Sequence, residues 1–113
     1  MLDRVRQRLE AARAERMAAT LDTVDGEEVD LATSTIRPDG LAFVTSFRFV
    51  VHDYAAMREV SVPWDAITRS EVGPADLGIA RVRLWLDAPD GEPDQVDVEV
   101  PERLADALRV RLG

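Results

Sequence analysis

The sequence predicts a small α+β protein in which an antiparallel sheet is closed by a C-terminal helix. Its 113 residues suit a single domain. Between residues 28 and 100, apolar and polar side chains alternate in segments that glycine- and proline-containing turns separate, which is typical of antiparallel strands. The last twelve residues instead carry leucines at the spacing of one helix face. We therefore expect residues 26–113 to form one sheet domain that ends in a helix.

An additional helix is predicted for residues 1–22, ahead of the sheet domain. Alanine, arginine, glutamate and leucine dominate this segment. Leu2, Val5 and Leu9 recur at three- and four-residue spacing, so one face of the helix is apolar but narrow. Three roles follow for this helix: docking on its own domain, pairing with a second copy in a homodimer, or contacting nucleic acid through its arginines.

The sheet is predicted to begin with a strand at Glu28–Ile36 and a turn at Arg37–Gly40, where proline and glycine occupy favoured turn positions. Leu41–His52 has the clearest strand pattern, and we predict one continuous strand there. Its apolar side chains are predicted to share one face and to form the centre of the core: Leu41, Phe43, Phe47, Phe49 and Val51.

Met57–Pro63 is the next predicted strand, and Trp64 is expected to anchor the core beside a turn. Ile79–Asp87 and Gln95–Val100 are predicted to pair as a hairpin. Its inward side chains are predicted to be Val82, Leu84, Val96 and Val98, and its outward ones Arg81, Arg83 and Trp85 opposite Asp97 and Glu99. The opposite charges across the hairpin support this register.

The chain closes with a predicted helix that starts around Pro101 and Glu102. Leu104, Leu108 and Leu112 form its apolar stripe, and the first two are expected to cover the core. In all, five or six strands can be placed between the two predicted helices.

The composition narrows the function classes. The net charge is −8: residues 1–19 hold five arginines against three acidic residues, and the rest holds nine arginines against nineteen. An acidic body repels nucleic-acid phosphates and anionic lipids, so no membrane partner is expected and a nucleic-acid partner is disfavoured. The absence of cysteine, of a signal-peptide pattern and of a long apolar run favours a cytoplasmic protein.

No catalytic, cofactor-binding or metal-ligating residue is predicted. His52 is the single histidine, and its neighbour Asp53 would point to the opposite face of a strand, so we interpret His52 as a strand-end residue. The Asp-Gly pairs do not match the spacing of a calcium loop and are interpreted as turns. A run of acidic side chains is interpreted as a solvated surface: Asp25, Glu27, Glu28 and Asp30.

Three short segments resemble those of small bacterial pleckstrin-homology-like domains. They are Gly26-Glu27, the pair Thr45 and Arg48 in a T-x-x-R pattern, and Val62-Pro63-Trp64 followed by Ile67. The resemblance covers residues 26–112. It implies a strongly bent antiparallel sheet of up to seven strands, a partial barrel capped by the C-terminal helix. It also implies a binding scaffold without catalytic activity. Members that bind phosphoinositides use basic loops, and this chain offers Arg37 alone near the relevant hairpin, so no binding residue is carried over.

The leading hypothesis is a non-enzymatic protein-interaction or scaffolding domain, without a cofactor, that binds an unknown protein or itself. The predicted interaction surfaces are Trp85 with Arg81 and Arg83, and the helix stripe Leu2, Val5 and Leu9. Two alternatives stay open. One is a small-ligand-binding protein or an enzyme with a carboxylate pocket, and the other is nucleic-acid contact through the arginine-rich N-terminal helix.

Overall fold

A computed structural model describes residues 21–87 and 94–112 of the chain. It contains seven strands, β1 (Val29–Thr35), β2 (Gly40–Thr45), β3 (Arg48–Asp53), β4 (Arg58–Pro63), β5 (Ile67–Val72), β6 (Ile79–Leu86) and β7 (Gln95–Pro101). A 3₁₀ turn at Trp64–Ala66 joins β4 to β5, and helix α1 (Glu102–Leu112) ends the fold. The predicted N-terminal helix, with Leu2, Val5 and Leu9, lies outside the described residues.

The strands form two antiparallel sheets instead of one. The first sheet has the order β1-β2-β3-β4 and the second the order β5-β6-β7. The chain beyond β1 joins the sheets along one edge, since the amide of Ile36 donates to Glu99 O (2.9 Å) and that of Glu99 donates to Arg37 O (2.7 Å). The result is a partial barrel that stays open between β4 and β5.

The core lies between the inner faces of the two sheets. Ala42, Val44, Phe49, Val51 and Val62 of the first sheet meet Val82, Leu84, Val96, Val98 and Val100 of the second. Helix α1 packs Leu104, Ala105 and Leu108 against them, and all three are fully buried. The structure thus confirms the predicted inward faces of the β6–β7 hairpin and the covering role of the helix.

The prediction of one continuous strand over 41–52 is wrong. The chain turns back between Thr45 and Arg48, and β2 and β3 pair as a hairpin in which Phe43 lies opposite Val50 and Val44 opposite Phe49. The turn reverses which side of the sheet each alternate residue faces. Phe49 and Val51 therefore face the core, while Leu41 and Phe43 belong to a separate cluster on the other side of the sheet. Phe47 lies in the turn and is 46% exposed.

Strand β5 has no counterpart among the predicted strands. Thr68, Arg69, Ser70 and Glu71 are all exposed in it, and only its two ends are apolar. An edge strand with so few buried side chains has no alternating pattern to detect. Its backbone pairing with β6 is what makes it a strand.

Candidate functional site

The β2–β3 turn holds a buried ion pair. Gly26 adopts a left-handed conformation (φ +82°), which glycine tolerates, and so turns the chain that delivers Glu27 to this end of the first sheet. Arg48, the first residue of β3, donates from Nε and Nη2 to the two carboxylate oxygens of Glu27, at 2.8 and 3.1 Å. The side chain of Glu27 is 0% exposed. Because of these bonds, the pKa of Glu27 falls from 4.5 to about 2.

Every nitrogen of the Arg48 guanidinium is occupied. Nη1 donates to Ser61 Oγ of β4 (2.9 Å), and Nη2 also donates to the main-chain oxygen of Asp22 (2.8 Å). One side chain therefore ties together β3, β4, and the segment before β1. A bidentate, charge-assisted pair of this kind fixes geometry strongly.

Thr45 and Trp64 complete the network. The Thr45 hydroxyl donates to Glu27 Oε2 (2.7 Å) and accepts from the amides of Phe47 (3.1 Å) and Arg48 (2.9 Å), which forms the β2–β3 turn. The indole nitrogen of Trp64 donates to the Thr45 main-chain oxygen (3.0 Å). Trp64 also packs against the core, as predicted.

The network corrects one interpretation and explains another. Glu27 is not part of a solvated acidic surface, because its carboxylate is enclosed by Arg48 and Thr45. Glu27, Thr45, Arg48 and Trp64 are also residues of the three segments that carry the family resemblance. Those segments are distant in the sequence but meet in one hydrogen-bonded network. Their shared resemblance to one family was the sequence signal from which this network could have been found. Because the Glu27 side chain is 0% exposed, its carboxylate is not accessible to a ligand.

The predicted surface around Trp85 lies on the outer face of the second sheet, and its residues are engaged with neighbours. Arg81 makes two hydrogen bonds to the Asp97 carboxylate (3.0 and 2.6 Å), which hold the pKa of Asp97 below its usual range. Arg83 also approaches Asp97 (3.5 Å). Arg69 stacks over the Trp85 ring, with its guanidinium carbon 4.7 Å from the ring centroid. The strand register places Glu99 and Asp97 opposite Arg81 and Arg83, as predicted.

A cleft of about 360 Å³ opens at the other end of the first sheet, where the β1–β2 and β3–β4 turns meet. Its floor is apolar, formed by Val51 and Val60 of the first sheet and by Val96 and Val98 of β7. Its wall is polar: Arg37 with Pro38 comes from the β1–β2 turn, Asp53 and Arg58 come from the β3–β4 hairpin, and Gln95 and Asp97 come from β7.

Arg37 and Arg58 share the wall of this cleft, and both are exposed. Among the residues that the structure describes, neither makes an ion pair or side-chain hydrogen bond, whereas Arg48, Arg69, Arg81, Arg83, Arg109 and Arg111 all contact a carboxylate. Sequence reasoning noted Arg37 alone. Arg58 joins it because the β3–β4 hairpin brings Arg58 opposite Asp53, beside the β1–β2 turn.

Two apolar side chains project near the cleft. Tyr54 is 55% exposed and Met57 is 93% exposed, both in the β3–β4 turn. The amide of Tyr54 donates to Asp39 O (3.1 Å), which fastens this turn to the β1–β2 turn. Met57 adopts a left-handed conformation (φ +49°) that is unfavourable for a residue with a side chain. Tyr54 and Met57 are the sequence neighbours of Asp53 and Arg58, so they place exposed apolar side chains beside the cleft wall.

The carboxylates near the cleft are already engaged. Asp53 accepts from the amide of Ala56 (3.1 Å), and Asp97 accepts from Arg81. Residues 21–87 and 94–112 contain no group of three or more side chains that suits a metal ion. Within the same ranges, no helix combines the length and apolar character that spanning a bilayer requires.

No family model matches the sequence, and no curated protein matches it significantly. Solved structures do match its fold. The Vps36 N-terminal PH domain is 16% identical with a TM-score of 0.60, over 80% of this chain and 83% of that one. The fold is pleckstrin-homology-like. The structural similarity confirms the resemblance inferred from the three sequence segments.

Two bacterial structures show the same pleckstrin-homology-like fold. A DUF1696 family protein with a pleckstrin-homology domain, from Shewanella loihica, is 22% identical with a TM-score of 0.57, over 99% of this chain and 90% of that one. A pleckstrin homology domain from Shewanella amazonensis is 21% identical with a TM-score of 0.53, over 89% and 83%. At these identities the similarity concerns the fold.

Proposed function

We propose that this chain is a non-enzymatic protein-interaction domain that binds its partner at the cleft between the β1–β2 and β3–β4 turns. The observation that carries the proposal is the pair of arginines without a carboxylate partner in the described residues, Arg37 and Arg58, on the wall of one apolar-floored cleft. A small number of polar groups around an apolar concavity is the usual form of a binding site.

The chemistry of the cleft defines the segment that it would accept. Two guanidinium groups suit a carboxylate, and the four valines of the floor suit an apolar side chain next to it. Tyr54 and Met57 add exposed apolar area outside the cleft. Aromatic residues and methionine are enriched in protein–protein interfaces, so a partner could bury both side chains. The expected partner is thus a protein segment that presents an acidic group beside an apolar one.

The carboxylate-pocket alternative is less well supported. A general acid needs a carboxyl group of raised pKa. The pKa shifts of Glu27 and Asp97 are in the opposite direction, because arginines stabilise their ionised forms. The surface of Trp85, Arg81 and Arg83 stays a prediction, as does nucleic-acid contact through residues 1–20.

A defined pair of probes tests the cleft. The first probe, N-acetyl-phenylalanine, carries one carboxylate and one apolar ring. The second, N-acetyl-phenylalanine amide, has the same ring but carries an uncharged amide in place of the carboxylate. We expect the acid to shift the backbone amide resonances of Arg37, Arg58 and Val98 with millimolar affinity, and the amide form to bind at least tenfold more weakly. The double variant Arg37→Ala/Arg58→Ala should abolish the difference between the two probes.

The matched control replaces two arginines that have partners away from the cleft, Arg69→Ala/Arg109→Ala, and should bind both probes like the wild type. Equal binding of acid and amide by the wild type would reject the proposed charge recognition. Binding of wild-type protein to vesicles of anionic lipid, lost in Arg37→Ala/Arg58→Ala, would replace a protein partner with a membrane.

A further inference from the structure

Strand β7 has an exposed edge beside the cleft. In an antiparallel sheet, the main-chain N–H and C=O groups of successive residues point alternately to the two sides of the strand. The amide of Leu86 on β6 donates to Asp94 O (2.9 Å), which fixes this alternation. The even-numbered residues of β7 therefore bond to β6, whereas the main-chain groups of Gln95, Asp97 and Glu99 point away from it.

One of these three outward-pointing residues is paired within the described chain. The main-chain oxygen of Glu99 accepts from the amide of Ile36 (2.9 Å), and its amide donates to Arg37 O (2.7 Å). Gln95 and Asp97 make no such main-chain bond to residues 21–87 or 94–112, and both are exposed on the cleft wall. Two N–H and two C=O groups thus point toward the cleft without a partner in those ranges.

The β1–β2 turn leaves this edge of β7 uncovered. The Thr35 hydroxyl donates to Pro38 O, which closes the turn. The amide of Tyr54 donates to Asp39 O (3.1 Å), which fastens the turn to the β3–β4 hairpin. Both bonds direct the chain from Pro38 into the first sheet. As a result, no described residue of the turn continues the line of β1 along β7 to reach Asp97.

We propose that the partner segment binds as an additional antiparallel strand on this edge of β7, with main-chain hydrogen bonds to Gln95 and Asp97. This proposal rests on the proposed function, since it assigns a binding mode to the same cleft. An exposed sheet edge offers main-chain bonds to an extended peptide, and pockets beside the edge select its side chains. Antiparallel addition continues the pairing that Ile36 and Arg37 already make with Glu99.

The register defines which side chain of the segment reaches which part of the cleft. Side chains of directly opposite residues lie on the same face of a sheet. The residue opposite Val96 therefore faces the apolar floor, and the residue before it, opposite Asp97, faces the other side. Arg37 lies on that other side as well, because it is the bridge partner of Glu99. An acidic residue followed by an apolar one thus fits the edge.

The charges around the edge favour such a segment. The Asp97 carboxylate accepts two hydrogen bonds from Arg81 (3.0 and 2.6 Å) and lies 3.5 Å from Arg83, so its own strand neighbours balance its charge. Arg37 and Arg58 contact no carboxylate in the part of the chain that the structure describes. A carboxylate of the segment would therefore meet guanidinium groups that no described acid occupies.

Backbone N-methylation of a peptide probe tests the main-chain bonds. The probe is acetyl-Thr-Glu-Phe-Thr-amide, with glutamate designed for the position opposite Asp97 and phenylalanine for the position opposite Val96. The phenylalanine N–H should point away from β7, and the N–H of the following threonine should donate to Gln95 O. Methylation of this threonine nitrogen should weaken binding about tenfold, whereas methylation of the phenylalanine nitrogen, the matched control, should change it less than about threefold.

Amide hydrogen exchange reports the same bonds from the protein side. With saturating peptide, the amides of Gln95 and Asp97 should exchange about tenfold more slowly than in the free protein, whereas Glu99, which is already bonded to Arg37, should change little. Gln95→Pro removes one donor at the first residue of β7, a position where a strand tolerates proline, and should weaken peptide binding. Gln95→Thr keeps the donor and should bind the peptide like the wild type.

The outcomes separate the binding mode from the proposed function. Equal effects of the two methylations, without slower exchange at Gln95 and Asp97, would overturn the added strand. The cleft would still be the binding site if Arg37→Ala/Arg58→Ala weakened the peptide in that case. Absence of binding by both the peptide and N-acetyl-phenylalanine would reject the cleft and the added strand together. Slower exchange of the two amides at high protein concentration without peptide would assign the edge to a second copy and overturn the proposal.

Discussion

The two ends of the first sheet use arginine in opposite ways. At the β2–β3 end, Arg48 has every guanidinium nitrogen bonded and pairs with a carboxylate that is 0% exposed. At the other end, Arg37 and Arg58 are exposed beside the cleft and contact no carboxylate of the described residues. Arginine thus fixes the fold at one end of the sheet, and at the other end it is exposed beside a cleft.

The difference shows that the environment of an arginine, and not its presence, decides its role. Breaking a buried pair leaves an uncompensated charge in a poorly solvated site, whereas removing an exposed unpaired charge removes little that the fold needs. Stability and binding should therefore respond to different arginines in this domain.

The largest expected effect comes from the buried pair. Glu27→Gln should lower the free energy of unfolding by about 3 kcal/mol, because Arg48 then keeps a charge without its counter-ion. Arg37→Ala/Arg58→Ala should change it by less than about 0.5 kcal/mol. Urea unfolding followed by circular dichroism measures both. Similar losses in the two variants would remove the distinction between the ends.

Two buried threonines allow a similar comparison between a polar group that is bonded and one that is not, without a change of charge. Thr45→Val should cost about 2 kcal/mol, because the amides of Phe47 and Arg48 lose their acceptor. Thr33→Val is the matched control, since the buried Thr33 hydroxyl has no hydrogen-bond partner among the described residues. It should stabilise the protein by about 1 kcal/mol. A loss of stability in Thr33→Val would show that its hydroxyl has a partner, such as a buried water.

The buried pair should also appear in the pH dependence. Glu27 has a folded-state pKa of about 2 and an ordinary value of 4.5. Its contribution is thus complete above about pH 4.5 and is lost as the pH falls through about 2, since the unfolded chain binds the proton first. Urea midpoints measured at descending pH should fall less steeply for Glu27→Gln than for the wild type.

Asp97 provides the control for this pH dependence. Arg81 lowers its pKa in the same direction, but the pair lies at the surface, where solvent screens it. Asp97→Asn should therefore flatten the acid limb much less than Glu27→Gln. The reverse order would place the acid-sensitive contact on the second sheet.

The smallest effect belongs to the cleft end. Met57→Gly should raise the free energy of unfolding by about 0.5 kcal/mol, because glycine relieves the left-handed conformation while giving the unfolded chain more freedom. Ala56→Gly has no such strain to relieve and should destabilise slightly. A destabilised Met57→Gly would mean that the exposed methionine contributes contacts to the folded state.

Much of the fold could be predicted because its signals are local. The leucine stripe of α1 and the opposite charges of the β6–β7 hairpin appear in the sequence as they do in the structure. The hairpin of β2 and β3 could not be separated, because apolar alternation continues through the turn and the Thr45 hydroxyl bonds that form it involve no glycine or proline. Strand β5 was missed because its four central side chains are all exposed, so no apolar alternation accompanies its backbone pairing with β6.

The candidate site was less predictable than the fold. Arg58 lies 21 residues from Arg37 in the sequence, and neither has a neighbouring motif. The sequence by itself determined the fold class, the closing helix, the acidic body and the segments Gly26-Glu27, Thr45 to Arg48 and Pro63-Trp64. Only the tertiary structure decided that Glu27 and Arg48 form a buried ion pair and that Arg37 and Arg58 line the same cleft. The physical reason is that burial and ion pairing depend on contacts between side chains that are distant in the sequence. The local alternation of apolar and polar residues carries no information about those contacts.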